Sequence, residues 1–285
     1  MNTVIHIGRL WTRRGALDKL NALILRRGVA PMVALMVALM VALTPSPAAA
    51  QSSCSSDGQA APRVILERFI NADCAACWRD NAVAPTPLGG LAIDWILPGS
   101  QGEDAPLSAV ASRDAAWRLE ALNLAMPTVS LNHSSATRRV QRPAQQALDP
   151  HSFAPHLRVA RGIALNGYMG ASIELTLSQK QARQPAQRGP WTAWLVLVEA
   201  IPRGTEGSAV DRLLVRNTLT LSWNAGTRLS KKDQVKQGEI QTFFESRPMS
   251  LPPGTNPEHL RVVGWVENSR KQVIASAVSS CDSPK

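Results

Sequence analysis

Cys74 and Cys77 are separated by two alanines in the stretch Val-Ile-Leu-Glu-Arg-Phe-Ile-Asn-Ala-Asp-Cys-Ala-Ala-Cys-Trp-Arg-Asp that begins at Val64. A C-x-x-C pair admits three chemistries: exchange of a dithiol with a disulfide, one half of a zinc site, or a structural bridge. Zinc needs two further ligands, and the candidate histidines, His133, His151 and His156, have no tight pairing with one another except across Pro155. Exchange needs a thiolate. The apolar run from Val64 to Phe69 reads as a strand, Asp73 as a helix N-cap, and the following segment as a helix up to Pro85 and Pro87. Cys74 is then expected in the first helical turn, where unpaired amides favour thiolate over thiol. On this reading Cys74 attacks, and Cys77 resolves the mixed disulfide. Ala75 and Ala76 carry no charge, so nothing between the cysteines biases the direction of electron flow.

The beginning of the chain sets the compartment. Arg9, Arg13, Arg14, Lys19, Arg26 and Arg27 precede an apolar segment from Val29 to Leu43 that repeats Met-Val-Ala-Leu three times. At about 15 residues this segment is short for a membrane-spanning helix and suits a signal peptide. Ala48-Ala49-Ala50 offers a cleavage site, so residues 1–50 read as a signal, with Gln51 opening a periplasmic or secreted chain that keeps no stable membrane anchor. Arg26-Arg27 does not continue well as a twin-arginine signal, and Cys54 lacks the small apolar run of a lipidation site. The chain has 31 Lys and Arg against 21 Asp and Glu; residues 1–50 hold six and one of these, leaving 25 against 20. That surplus is modest and scattered, which argues against nucleic acid as a partner.

Two patterns divide the remainder. From Arg63 to about Asn132, strand-like and helix-like stretches alternate, which reads as an α/β unit. From His156 onward, short alternating runs read as antiparallel, sandwich-like β structure. The expected organisation is an arm over 51–62, an α/β domain over 63–140, a Pro-containing linker over 141–155 and a β-rich domain over 156–281. Trp191 and Trp194, three apart on a strand, point to opposite faces, one expected in the core and one at the surface. Cys54 and Cys281 lie at the two ends, and an even cysteine count in an exported chain predicts a Cys54–Cys281 disulfide, worth at most ~5 kcal/mol by loop closure.

The order strand, C-x-x-C, helix, strand, helix, Met126-Pro127, strand resembles the thioredoxin fold. That resemblance implies a cis Pro127 packed against the C-x-x-C turn, with Met126 before it. More narrowly, the chain resembles a divergent member of a secreted bacterial thioredoxin-like family, the domain of unknown function 1223 family, whose opening motif is V-E-L-F-T-S-x-G-C-S-S-C-P-P. Glu67 and Phe69 hold its acidic and aromatic positions, and Cys74 and Cys77 its cysteines. Asp94-Trp95, Arg113 to Trp117, Met126 to Asn132, and Gly226 with Leu229 and Val235 resemble later motifs, whereas Trp78-Arg79 replaces the proline pair. Glu67 has two readings, a charge at a strand edge or a proton shuttle supporting the dithiol. The expectation is a thioredoxin-like domain followed by a β-rich domain, acting as a thiol–disulfide oxidoreductase on protein thiols or disulfides, with a membrane redox partner and with no cofactor or metal. The rival is a non-catalytic envelope protein in which the first half is a scaffold and the β domain binds a partner.

Overall fold

A computed structural model describes residues 54–137, 155–178, 190–224 and 240–281. Residues 1–50, expected to be a signal, residues 141–154 of the linker expected at 141–155, His151 among them, and the motif residues Gly226, Leu229 and Val235 lie outside the described residues. The strands are β1 (Cys54–Ser55), β2 (Val64–Asn71), β3 (Leu91–Leu97), β4 (Ser130–Ala136), β5 (His156–Leu165), β6 (Tyr168–Ser178), β7 (Trp191–Ile201), β8 (Arg212–Trp223), β9 (Ile240–Ser250), β10 (Leu260–Glu267) and β11 (Val273–Val278). Among the described residues two α-helices accompany them, α1 (Ala75–Arg79) and α2 (Arg113–Ala121).

The strands form a four-stranded sheet in the order β1-β5-β6-β9 and a seven-stranded sheet in the order β11-β10-β7-β8-β3-β2-β4. In the larger sheet, β2 and β3 are parallel, and β3 joins β8 in parallel through Asp94 and Leu214. One sheet therefore takes strands from both sides of the expected 141–155 boundary, and the described residues from Cys54 onward belong to a single compact unit.

The α/β thioredoxin-like class expected for residues 63–140 is overturned. Among the described residues the architecture is predominantly β, with α-helices of only five and nine residues. Helix α2 begins at Arg113, capped by the Ser112 hydroxyl, which accepts from Asp114 N. The helix after Cys74 stops at Arg79, because the Cys77 and Trp78 carbonyls that would continue its ladder accept from Arg212 instead. Helices this short cannot cover two faces of a sheet. Strands β2 and β3 bury themselves by extending the sheet of the second half.

The two sheets pack face to face. Val159, Ile173 and Leu175 of the small sheet meet Leu195, Leu197, Val262 and Ala277 of the large one, with Trp191 and Trp223 both against Phe243. Gly264 lets the sheets approach closely, since a Cβ there would fall 2.5 Å from Val159 Cγ1. Asn166 and Gly167, both at positive φ, make the two-residue turn from β5 to β6, the geometry that matches strand twist. On its other face the large sheet carries α2, which buries Ala115, Arg118 and Leu119 at helical spacing over Phe69, Trp95, Val196 and Val263. Strand β7 is thus covered on both sides and reads as a nearly continuous apolar run. Trp191 and Trp194 do point to opposite faces, but both are buried, at 1% and 3% exposure.

Arg118 brings a charge into that interior. Its Nε and Nη2 donate to Glu67 Oε2 and Oε1, both at 2.7 Å, and Nη2 also donates to Glu267 Oε1 at 2.7 Å. The Trp265 and Trp194 indoles donate to Glu267 at 2.9 and 3.3 Å, and the guanidinium lies over both rings. Burial works against this cation, but Glu67 and then Glu267 outweigh it and hold the Arg118 pKa above its ordinary range. Breaking such a cluster is costly because the remaining charges stay buried. Arg118→Met should therefore lose about 3–5 kcal/mol of unfolding free energy in urea. Adding Glu67→Gln and Glu267→Gln should restore most of it; a single variant within about 1 kcal/mol of wild type would contradict the assignment.

Candidate functional site

The sheet delivers the C-x-x-C turn at the end of β2. Asn71 closes the strand, its carbonyl accepts from Cys74 N at 2.9 Å, and Ala72 N donates to Leu97 O of β3 at 2.9 Å. Cys74 and Cys77 are joined by a disulfide, and both residues are partly buried. Cys74, not Asp73, occupies the N-cap of α1, and Cys77 N donates to its Sγ at 3.2 Å. A five-residue helix has little macrodipole, so this single amide replaces the helix-end effect expected from the sequence. Asp73 turns away to the following loop, where it accepts from Ser100 Oγ and N, both at 2.7 Å, and from Gln101 N at 3.2 Å. The Ser100 hydroxyl, with the two amides, keeps its carboxyl below the usual range against the opposing effect of desolvation. Gly99 lies close beside it, and a Cβ there would displace that carboxylate.

The far end of the turn is anchored from the second half of the chain. Arg212 Nη2 donates to Trp78 O at 2.8 Å and to Cys77 O at 3.2 Å, its Nε reaches Ser208 Oγ at 2.8 Å, and its Nη1 reaches Asp94 Oδ1 at 2.8 Å. The other Asp94 oxygen accepts from Arg68 Nη2 at 2.6 Å. Trp78 is buried among Ile70, Ala72, Ile96, Ile201 and Leu214, and its indole donates to Glu206 O at 2.7 Å. The Arg212 guanidinium lies 4.6 Å from the centre of that ring. Two cations and one anion therefore underlie α1, all of them buried.

Pro127 joins the same neighbourhood through Asn71, whose Nδ2 donates to Pro127 O at 3.1 Å, whose Oδ1 accepts from Asp73 N and whose N donates to Val129 O. Met126 and Val129, on either side, are each about half exposed. The structure does not bring Glu67 to this site. It is neither an edge charge nor free to move protons near the cysteines, because it faces α2 with Ile65 and Phe69, while Arg68 and Ile70 face α1. Asn71, Arg68 and Arg212 were not singled out from the sequence. A signal existed, since Arg68 and Asp94 each interrupt an apolar run, Glu267 closes one and Arg212 opens one, a pattern that fits mutually paired buried charges as well as edges.

At the chain ends, a disulfide joins Cys54 to Cys281. Cys54 opens the short β1 along β5, Ser55 pairs with Ser280, and Arg161 Nη2 donates to Cys281 Sγ at 3.0 Å. Nearby, Arg158 forks onto Asp57 with contacts of 2.8 Å to Oδ1 and 2.6 Å to Oδ2. Among the described residues no three of His, Cys, Asp and Glu gather in a way that could hold a metal.

The frame and the site together define a two-sheet β protein that presents a C-x-x-C disulfide on a short helical turn. Comparison of the chain with protein-family models, with curated proteins and with solved structures finds no match to any of them.

His156 belongs to the chain-end region and is half-buried at the start of β5. Burial lowers its pKa from the ordinary 6.5, Glu174 and Asp57 oppose this, and Arg158 adds to it. The unfolded chain therefore takes up the proton first, so the stability held by neutral His156 is complete above about pH 6.5 and is lost as pH falls through the lowered value. His156→Gln should reduce the drop in urea midpoint between about pH 7.5 and about pH 5.5; a drop identical to wild type would show that another group is responsible.

Proposed function

We propose that this protein is an exported thiol–disulfide exchange protein acting through Cys74 and Cys77. The observation that carries the reading is that the C-x-x-C turn is held at both ends by bonds other than its own disulfide. Asn71 fixes the entry, and Arg212 with the buried Trp78 fixes the exit. Opening the S–S bond then leaves two thiols in place, ready to close again, which a reversible couple needs.

Cys74 is the exchanging sulfur, because the Cys77 amide donates to it and would stabilise its thiolate. In the reduced protein, the Cys74 thiolate attacks one sulfur of a partner disulfide, forms a mixed disulfide and expels the other partner sulfur as thiolate. Cys77 then loses its proton and attacks Cys74 Sγ, closing the intramolecular bond and releasing the partner dithiol. The reverse sequence oxidises a partner. The half-exposed Met126 and Val129 flanking Pro127 supply apolar surface on the segment tied to the turn. Two disulfides among the described residues fit an oxidising compartment, in keeping with the signal-like first 50 residues.

Cys77→Ala should accumulate a mixed disulfide at Cys74 when the protein is incubated with oxidised glutathione or a disulfide-linked peptide, read by mass on non-reduced protein. Cys74→Ser should trap little through Cys77. Absence of any adduct on Cys77→Ala, or equal trapping by the two variants, would contradict the proposal.

A further inference from the structure

Every charged group within reach of the turn bears on which redox form is favoured. Arg212 bonds directly to the Cys77 carbonyl, Asp94 lies behind it, and Arg68 lies beyond Asp94. The Arg212–Asp94 pair thus points its positive end at the turn, and Arg68 adds a second cation that no further carboxylate balances. The cluster sums to one positive charge, with side chains almost wholly removed from water. Asp73 and Asp80, on either side of the turn, and Arg79 at its end are solvent-facing side chains that bond to Ser100, Ala82 and Ala75 respectively. Glu206 and Asp211 are exposed on the neighbouring loop. Water and salt screen these outer charges far more than the inner ones. The opposite imbalance, one arginine for two glutamates, belongs to Glu67, Arg118 and Glu267 on the other face of the sheet. The chain thus separates its buried charge across the sheet, positive on the side that carries the cysteines.

We propose that the Cys74–Cys77 disulfide is an electron acceptor, an oxidant of partner dithiols, because the buried Arg68–Asp94–Arg212 cluster places its excess positive charge beneath the turn and stabilises the thiolate formed on reduction. The inference rests on the exchange reading and adds its direction. A partner thiolate attacks Cys74 Sγ, the Cys74–Cys77 bond breaks, and Cys77 leaves with the electron pair. The second partner thiol loses its proton and attacks the partner sulfur of the mixed disulfide, and Cys74 leaves as the thiolate held by the Cys77 amide. The partner gives up two electrons and two protons; the pair takes both electrons and one proton, which goes to Cys77, while Cys74 stays ionised and the other proton goes to solvent. The disulfide is reactive because its reduced form is favoured, the relation that makes a dithiol couple oxidising. Arg68 and Arg212 are positioning and charge-setting residues, since neither is bonded to a sulfur.

The full chain after signal removal is equilibrated in glutathione buffers and in dithiothreitol, quenched with acid and alkylated. The peptide carrying Cys74 and Cys77 is then weighed separately from those carrying Cys54 and Cys281. In a glutathione buffer as reducing as cytosol, where stable structural disulfides stay closed, this pair should open in the folded protein. Arg68→Met removes the excess charge without touching the turn and should lower the equilibrium constant for reduction about tenfold, ~30 mV for a two-electron couple. Asp94→Asn adds net positive charge and should shift it the other way. Both variants weaken packing, so opposite shifts separate charge from mere loosening; if Asp94→Asn does not fold, the Arg68→Met shift decides. A pair that opens only in dithiothreitol, or an Arg68→Met equilibrium equal to wild type, overturns the electron-acceptor assignment and leaves exchange standing. A pair that dithiothreitol cannot open in the folded protein overturns both.

Discussion

Asp94 sits on β3 with no exposure to solvent and gives one carboxylate oxygen to each of two arginines, Arg68 on β2 and Arg212 on β8. A lone buried carboxylate would be strongly disfavoured, and so would either guanidinium without it. Three strands are therefore held in one arrangement by a group that none can release alone. Asp94 is also the residue through which β3 and β8 pair, so the ion cluster and the parallel joint between the two halves of the chain coincide. Arg212 carries the constraint outward to the carbonyls of Cys77 and Trp78. The geometry of the surface turn is thus set by a carboxylate deep in the sheet.

The second cluster does the same on the other face. Glu67 is next to Arg68 in the chain but points to the opposite side of β2, where Arg118 ties α2 to it and to Glu267 of β10. Adjacent residues of one strand thereby fasten separate layers, which is the consequence of side-chain alternation with both faces covered. Trp194 and Trp265 stack on each other and both lie against Arg118, so the cation is enclosed by aromatic faces where water would otherwise solvate it. The large sheet is unusually polar inside for its apolar sequence, and its buried charges are joined across distances of 51 and 149 residues along the chain.

Those distances explain what the sequence could and could not reveal. The strands were legible where apolar runs are bounded by turns, as in Val64 to Asn71 or Trp191 to Ile201, and so was the placement of Cys74 and Cys77 directly after β2. The fold class was not. Alternation of strand-like and helix-like segments suggested a self-contained α/β unit, but the pairing of β3 with β8 has no local signature, and the helix after Cys74 ends early because of an arginine more than a hundred residues away. Glu67 reads as a surface charge until Arg118 and Glu267 are placed around it. Trp191 and Trp194 were correctly assigned to opposite faces by strand periodicity, yet periodicity does not say that both faces are covered. For the candidate site, the two cysteines were visible as chemistry, and the residues that hold them were visible only as charges interrupting apolar runs.

The Asp94–Arg212 frame, and not the disulfide, holds the C-x-x-C turn. Amide hydrogen exchange over residues 72–80, compared between wild type and the Cys74→Ser, Cys77→Ser double variant, addresses it directly. The account predicts that protection around Cys77 and Trp78 is the same in both proteins, because Asn71, Arg212 and the buried indole are untouched by the change. Loss of protection confined to this turn in the double variant would show that the S–S bond is what orders it, and would contradict the account.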